Sequence, residues 1–145
     1  MPSAIMTIEF INHQEWGIDL KPFDPLIERL KEHVPFEQDG ILNVIFVNDT
    51  YIQALNKAYR KIDAPTDVLS FNYQTDGHFS NLIGEIYISV DTAQKQAEAF
   101  HHSFSDELNK LFVHGFLHIH GHDHEYDEDY KMMHAIECEV LGGEI

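Results

Sequence analysis

A single cysteine, Cys138, stands in a chain of 145 residues. One thiol can build neither an intrachain disulfide framework nor a thiolate-rich zinc cluster, so a reducing compartment is the default. Cationic side chains are scarce too: 9 Lys and Arg against 25 Asp and Glu give a formal net charge of -16 with histidine neutral. Such a field disfavours long-range capture of nucleic acid or anionic membrane, while leaving room for a local basic patch. No stretch approaches the roughly 20 apolar residues that span a bilayer. The opening residues, MPSAIMTIEFINHQEW, carry no basic leader ahead of a secretory apolar core. The expectation is a soluble, cytoplasmic protein without a membrane partner. Repeats, low-complexity tracts and linkers are missing as well, so one domain over residues 1–145 is expected. With 43% hydrophobic residues, the chain lies well away from disorder and can bury a core without help.

Histidine, by contrast, is abundant, with 11 residues. To place them, the chain is read for periodicity. Ala4 to Phe10 (AIMTIEF) reads as a strand, and Pro22 to Glu32 sets Phe23, Leu26, Ile27 and Leu30 on one helical face. Pro35 and Asp39-Gly40 break the chain before a buried strand, Ile41 to Val47. The NDT of Asn48 to Thr50 supplies capping side chains for a helix running through Arg60, with Ile52, Leu55, Ala58 and Tyr59 at helical spacing. A loop containing Pro65 enters a strand from Val68 to Tyr73. A turn near Asp76-Gly77 precedes another strand, Leu82 to Val90, in which Gly84 marks a bulge or a close approach. Asp91 is the expected cap of a helix fading near His101 and His102, and Ser105 the expected start of the next. That next helix is apolar almost all round, through Leu108, Leu111, Phe112, Val113, Phe116, Leu117 and Ile119, and should be central. Gly121 stops it, and a last helix covers Asp127 to Leu141. Two strands together followed by three helices describe an α+β domain more than a doubly wound one.

Five histidines fall in the eleven residues from His114 to His124, within LFVHGFLHIHGHDHE. An isolated histidine is ordinarily a packed or surface group. His114 and His118, however, are four apart on the central helix, so their imidazoles share a face and can converge on one ion. Gly121 lets the chain turn back and deliver His124. The frame HxxxHxxGxxH has the ligand spacing of the metzincin motif, HExxHxxGxxH. Three nitrogens with an open fourth position describe a catalytic zinc site better than a closed structural one. Position 115 is glycine where the peptidase places its proton-handling glutamate, so peptide hydrolysis loses its base. Asp123, Glu125 or another acid brought in by folding are candidate replacements, and Asp123 could instead orient a ligand imidazole. His120, His122 and His134 fit surface or supporting roles. An ion there would acidify bound water or polarise a carbonyl or phosphoryl oxygen.

Six of the nine basic residues precede position 73, and Lys57, Arg60 and Lys61 gather at the end of one helix. A guanidinium at position 60 suits bidentate contact with phosphate, against the alternative of a surface ion pair.

The segment HGFLHIHGHDH, His114 to His124, resembles the HGxLHLxGYDH signature of the YbeY family, described as rRNA maturation factors or metal-dependent hydrolases. LNKAYRKIDAPTDVLSF, Leu55 to Phe71, is similar to that family's LNxxYRxxDxPTDVLSF, and LIGEIYIS, Leu82 to Ser89, to its LGDIxIS strand. The resemblance implies a single-domain, zincin-like α+β fold with a mixed sheet, its central helix bearing metal ligands in a cleft. It also implies a zinc-dependent endoribonuclease of single-stranded RNA, acting in 16S rRNA 3′-end maturation and ribosome quality control. Partners would be 16S rRNA or the small ribosomal subunit, with ribosome-associated proteins. One Zn2+ per chain would be held by His114, His118 and His124, the native metal being open. Arg60 would be catalytic and, with Lys57 and Lys61, contact RNA. His122 departs from the family's tyrosine, and Glu85 stands where aspartate is frequent; with Asp123, both are candidates for orienting a ligand or moving a proton. The readings that compete with a nuclease are a non-catalytic ribosome-assembly factor with a structural metal, and a metallopeptidase. The acidity of the chain implies weak, salt-sensitive binding of free RNA.

Overall fold

The computed structural model describes residues 6–34, 39–73, 82–119 and 127–141. In chain order these form β1 (Met6–Asn12), α1 (Phe23–His33), β2 (Gly40–Val47), α2 (Asp49–Arg60), β3 (Val68–Asn72), β4 (Leu82–Ser89), α3 (Val90–Phe100), α4 (Phe104–Ile119) and α5 (Asp127–Leu141). The strands make one mixed sheet in the order β1-β2-β4-β3, in which β1, β2 and β4 run parallel and β3 antiparallel to β4. The α+β class and the order of elements are as expected.

Alternation along the strands separates two faces. Phe10, Val44, Phe46, Ile86 and Ile88 point into the larger core, where they meet Phe23, Leu26 and Leu30 of α1 and the apolar sides of α4. Phe10, Phe23, Phe46 and Phe112 form its aromatic centre, with ring centroids 5.0 to 6.2 Å apart. Ile45, Val47, Leu69, Phe71 and Tyr87 lie on the other face beneath Ile52 and Leu55 of α2. All seven apolar residues expected around α4 are buried, which makes it the central helix. α5 packs on α1 and α4, and Arg29 Nη1 donates to the Val140 carbonyl at 2.8 Å. Gly84 fulfils both readings of its position. The β2–β4 register shifts beside it, and a Cβ there would lie 2.5 Å from the Phe71 carbonyl oxygen and 3.1 Å from Ile119 Cδ1.

Several boundaries move, each for a local reason. β1 continues to Asn12 because its pairing with β2 extends to Phe46. Val90 leaves β4 for α3, whose cap is Ser89 rather than Asp91: the Ser89 hydroxyl accepts from the Thr92 amide at 3.3 Å. Asp91 instead accepts from the Asp49 amide at 2.9 Å, tying the start of α3 to that of α2. α4 begins at Phe104, with the Ser103 hydroxyl accepting from the Asp106 amide at 3.0 Å, one turn position before the Ser105 start expected. On α2, Ala58 and Tyr59 are exposed, and Asn56 takes the buried position. The turn near Asp76-Gly77 and the stop at Gly121 lie outside the described residues.

The Asp49 carboxylate anchors the junction of α2, β4 and α3. It accepts from Ser89 Oγ and Thr92 Oγ1, both at 2.6 Å, and from Lys95 Nζ at 3.2 Å. Burial by itself would raise its pKa, but these hydrogen bonds and the Lys95 charge prevail and hold it below the ordinary carboxylate value. Because the folded pKa is depressed, the stabilisation is complete above the unfolded value of about 3.9 and is lost as pH falls through the folded one. An Asp49→Asn variant should therefore lose about 1–2 kcal/mol of stability at neutral pH. Denaturant unfolding at several pH values should show that difference shrinking below about pH 4; a pH-independent difference would contradict the role assigned to the charge.

Candidate active site

Most of α4 is buried, yet His114 and His118 are only half-buried, because the stripe they occupy faces a cleft instead of the core. The cleft, of about 380 Å³, runs between the last two turns of α4, edge strand β3 and the loop after α2. The i, i+4 spacing has its expected consequence: the two Nε2 atoms stand 3.1 Å apart, with ring centroids at 4.6 Å and ring planes at 69°. Asn72 Nδ2 donates to the Ile119 carbonyl at 2.8 Å, satisfying a helix-end acceptor and fixing the C-terminal turn of α4 against β3. From α5, Glu137 Oε1 approaches the opposite ring nitrogen of His114, Nδ1, at 3.9 Å, and Glu137 is itself 9% exposed.

Arg60 reaches the cleft from the last residue of α2. Lys61 adopts a left-handed conformation (φ 61°), and its amide returns to the Asn56 and Lys57 carbonyls, so the helix stops directly after Arg60. The buried Asn56 then holds the following loop, donating from Nδ2 to the Ala64 carbonyl at 2.9 Å. Asp67 is a loop clamp: one carboxylate oxygen accepts from the Val68 amide at 2.8 Å and the other from Gln96 Nε2 at 3.2 Å. With Thr66, Ser70 and Asn72, it completes the polar wall opposite the imidazoles. Among the described residues, no ion pair engages Arg60.

The sequence-derived candidates therefore separate. His114, His118 and Arg60 share one cleft. Glu85 lies on the other sheet face, where its Oε1 accepts from the Tyr73 hydroxyl at 2.8 Å and the Tyr87 hydroxyl at 3.2 Å. Burial first, and then the Glu85 carboxylate, push both phenols above their ordinary pKa. The structure does not bring Glu85 to the imidazoles. Lys57 makes an exposed 3.9 Å ion pair with Asp63, and both Lys57 and Lys61 are exposed beside the cleft-forming helix end. His120, His122, Asp123, His124 and Glu125 lie outside the described residues. His102 meets the fully buried Glu107 at 2.5 Å. His134 lies 3.7 Å from the Cys138 sulfur, at i+4.

Thr66, Asp67, Ser70, Asn72 and Glu137 were missed as site residues. A signal for two of them existed, since Ser70 and Asn72 are polar at alternate positions of a strand and must share one face. Nothing in the sequence indicated which helix would bring Glu137 to His114.

Among the described residues, no group of three His, Cys, Asp or Glu gathers as a metal cage. The imidazole pair nevertheless fits two positions of one. Nitrogens bound at about 2.0–2.1 Å in a tetrahedral arrangement stand roughly 3.3 Å apart, close to the 3.1 Å observed between the Nε2 atoms. The Glu137 carboxylate lies on the far side of the His114 ring, 3.9 Å from Nδ1 and so beyond direct hydrogen-bond reach. Position 115 is tight: a Cβ would lie 2.7 Å from Ile86 Cγ2 and 3.0 Å from Ser70 Oγ, so even one carbon obliges a neighbour to shift.

Fold and site thus define an α+β protein with an imidazole- and arginine-lined cleft along the edge of its mixed sheet. A family model described as Endoribonuclease YbeY matches residues 11–143, and the chain belongs to that family. Relatives named Endoribonuclease YbeY include one from Aster yellows witches'-broom phytoplasma, 38% identical and covering 89% of each chain. Another, from Oceanobacillus iheyensis, is 40% identical over 94% of this chain and 96% of its own. A solution structure of a protein from Thermotoga maritima is 30% identical, with a TM-score of 0.60 over 95% of this chain and 90% of the other.

Proposed function

We propose that this protein is a metal-dependent endoribonuclease that cleaves single-stranded RNA in a zincin-like cleft. The observation that carries the reading is the shared cleft of Arg60, His114 and His118; the names of the relatives supply the nuclease class. His114 and His118 would hold the ion, with His124 as the third ligand and zinc as the metal the nitrogen set favours. When bound, such an ion supplies Lewis-acid polarisation and acidified water. His114 keeps Nε2 directed at its neighbour while Nδ1 lies on the side of Glu137, 3.9 Å from its Oε1. Arg60 binds the phosphate and meets charge that develops on its oxygens, and the Asn56 and Asp67 clamps preset its approach. Lys57 and Lys61 add sequence-independent phosphate attraction in an otherwise acidic molecule. His122 and Asp123 remain candidates for orienting a ligand or transferring a proton. The cellular setting that follows is maturation of the 16S rRNA 3′ end and ribosome quality control, on the small subunit in the cytoplasm, alongside ribosome-associated proteins. Within the described residues no helix is long and apolar enough to cross a membrane.

Arg60 provides the test. With metal content matched, Arg60→Ala should lower kcat/KM on single-stranded RNA by roughly 100-fold. Arg60→Lys should recover only part, because an ammonium lacks the bidentate fork. Unchanged turnover and affinity in Arg60→Ala would refute the phosphate role. Analysis of product ends in the same reactions separates attack by water from attack by the ribose 2′-hydroxyl, which leaves a 2′,3′-cyclic phosphate.

A further inference from the structure

Tyr59 immediately precedes Arg60 in the last turn of α2 and is expected by its helical spacing to be buried, but it is 67% exposed. Its ring is nevertheless held. It packs edge-on against Phe71 with centroids 5.0 Å apart and planes at 64°, and Phe71 is braced in turn by Tyr87 at 5.8 Å. Tyr87 is fixed by its hydroxyl on Glu85 and by stacking with Tyr51 at 6.2 Å. An aromatic ring this accessible, on a floor this constrained, is ordered before anything binds it.

Its surroundings are equally unusual for this chain. Three of the nine basic residues, Lys57, Arg60 and Lys61, lie within two positions of Tyr59, in a protein with 25 acids. Edge strand β3 divides the neighbourhood: Ser70 and Asn72 face the cleft with Arg60, while Phe71 supports Tyr59 on the opposite face. Tyr59 and Arg60 are adjacent on α2, their Cα atoms about 3.8 Å apart, and their side chains meet opposite faces of that edge strand.

We propose that Tyr59 is a base-stacking subsite for the nucleotide next to the phosphate held by Arg60, so that a single RNA strand crosses the edge of β3 there. The proposal rests on the endoribonuclease reading for the position of that phosphate. A ring face accepts any base, and the flanking ammonium groups meet the backbone charge. Together they give affinity for unpaired RNA without a sequence code. A duplex cannot offer its base faces, so the subsite also selects single strands.

The test uses the metal-loaded protein and a single-stranded RNA carrying 5-iodouridine, irradiated and mapped by mass spectrometry. An adduct on Tyr59 is expected. Tyr59→Ala should raise KM for unmodified single-stranded RNA about tenfold with kcat nearly kept, while Tyr59→Phe, which retains the ring, should stay within about twofold of wild type. RNA that is cleaved but gives no Tyr59 adduct, or an unchanged KM in a folded Tyr59→Ala variant, would overturn the subsite alone. An adduct on Tyr59 without any cleavage by the wild type would support the subsite and defeat the nuclease reading.

Discussion

A Gly115→Glu variant, which restores the glutamate of the peptidase frame, is expected to be insoluble or unfolded and to gain no peptidase activity. Position 115 lies in the interior of α4 and is buried against the sheet. Even the first side-chain carbon would fall 2.7 Å from a methyl of Ile86, a residue with no exposed surface. Overpacking at that distance costs about 1–3 kcal/mol, and an unpaired carboxylate in the same place adds a larger desolvation penalty. The sum approaches the whole stability of an ordinary domain, about 5–15 kcal/mol. Gly115→Ala separates the two effects: helix propensity favours alanine by about 1 kcal/mol, so a small net loss is expected, in contrast with failure of the glutamate variant. Thermal melting of both variants checks this, and a folded Gly115→Glu protein with wild-type stability would contradict the packing argument. The glycine in HGFLH is thus a requirement of close helix–sheet approach as well as a departure from peptidases.

Replacing His118 by alanine is expected to leave the fold intact and to reduce RNA cleavage roughly 10²- to 10³-fold, the loss typical of removing a principal source of electrostatic stabilisation. His118 is half-buried at the cleft, and its removal leaves the apolar sides of α4 untouched. The remaining imidazole, His114, keeps its place between Glu137 and the cleft, but the pair of converging nitrogens is gone. Circular dichroism should match the wild type, while both metal content and turnover fall.

Periodicity made much of this legible. α4 is so uniformly apolar that its central position followed from composition, and the four-residue spacing of His114 and His118 translated directly into a 3.1 Å nitrogen pair. Long-range placement was the harder part. The strand containing Glu85 was recognised, but which face of that strand meets α4 depends on β2–β4 and β3–β4 register, and the register sends Glu85 to the tyrosine face. Tyr59 met the helical pattern of a core residue, yet α2 covers the sheet through Ile52 and Leu55 and ends at its edge, leaving the ring in solvent. Capping shifted by one or two residues where neighbouring side-chain oxygens competed, as with the Ser89 hydroxyl against the Asp91 carboxylate. Glu137 arrives through docking of α5 on α4, which no local pattern encodes.

The most direct measurement is single-stranded RNA turnover by wild type and His118→Ala, with bound metal determined by elemental analysis on the same samples. About one ion per wild-type chain with rapid cleavage, against a folded variant deficient in both, is the predicted result. Equal cleavage by a folded variant that binds no metal would contradict it.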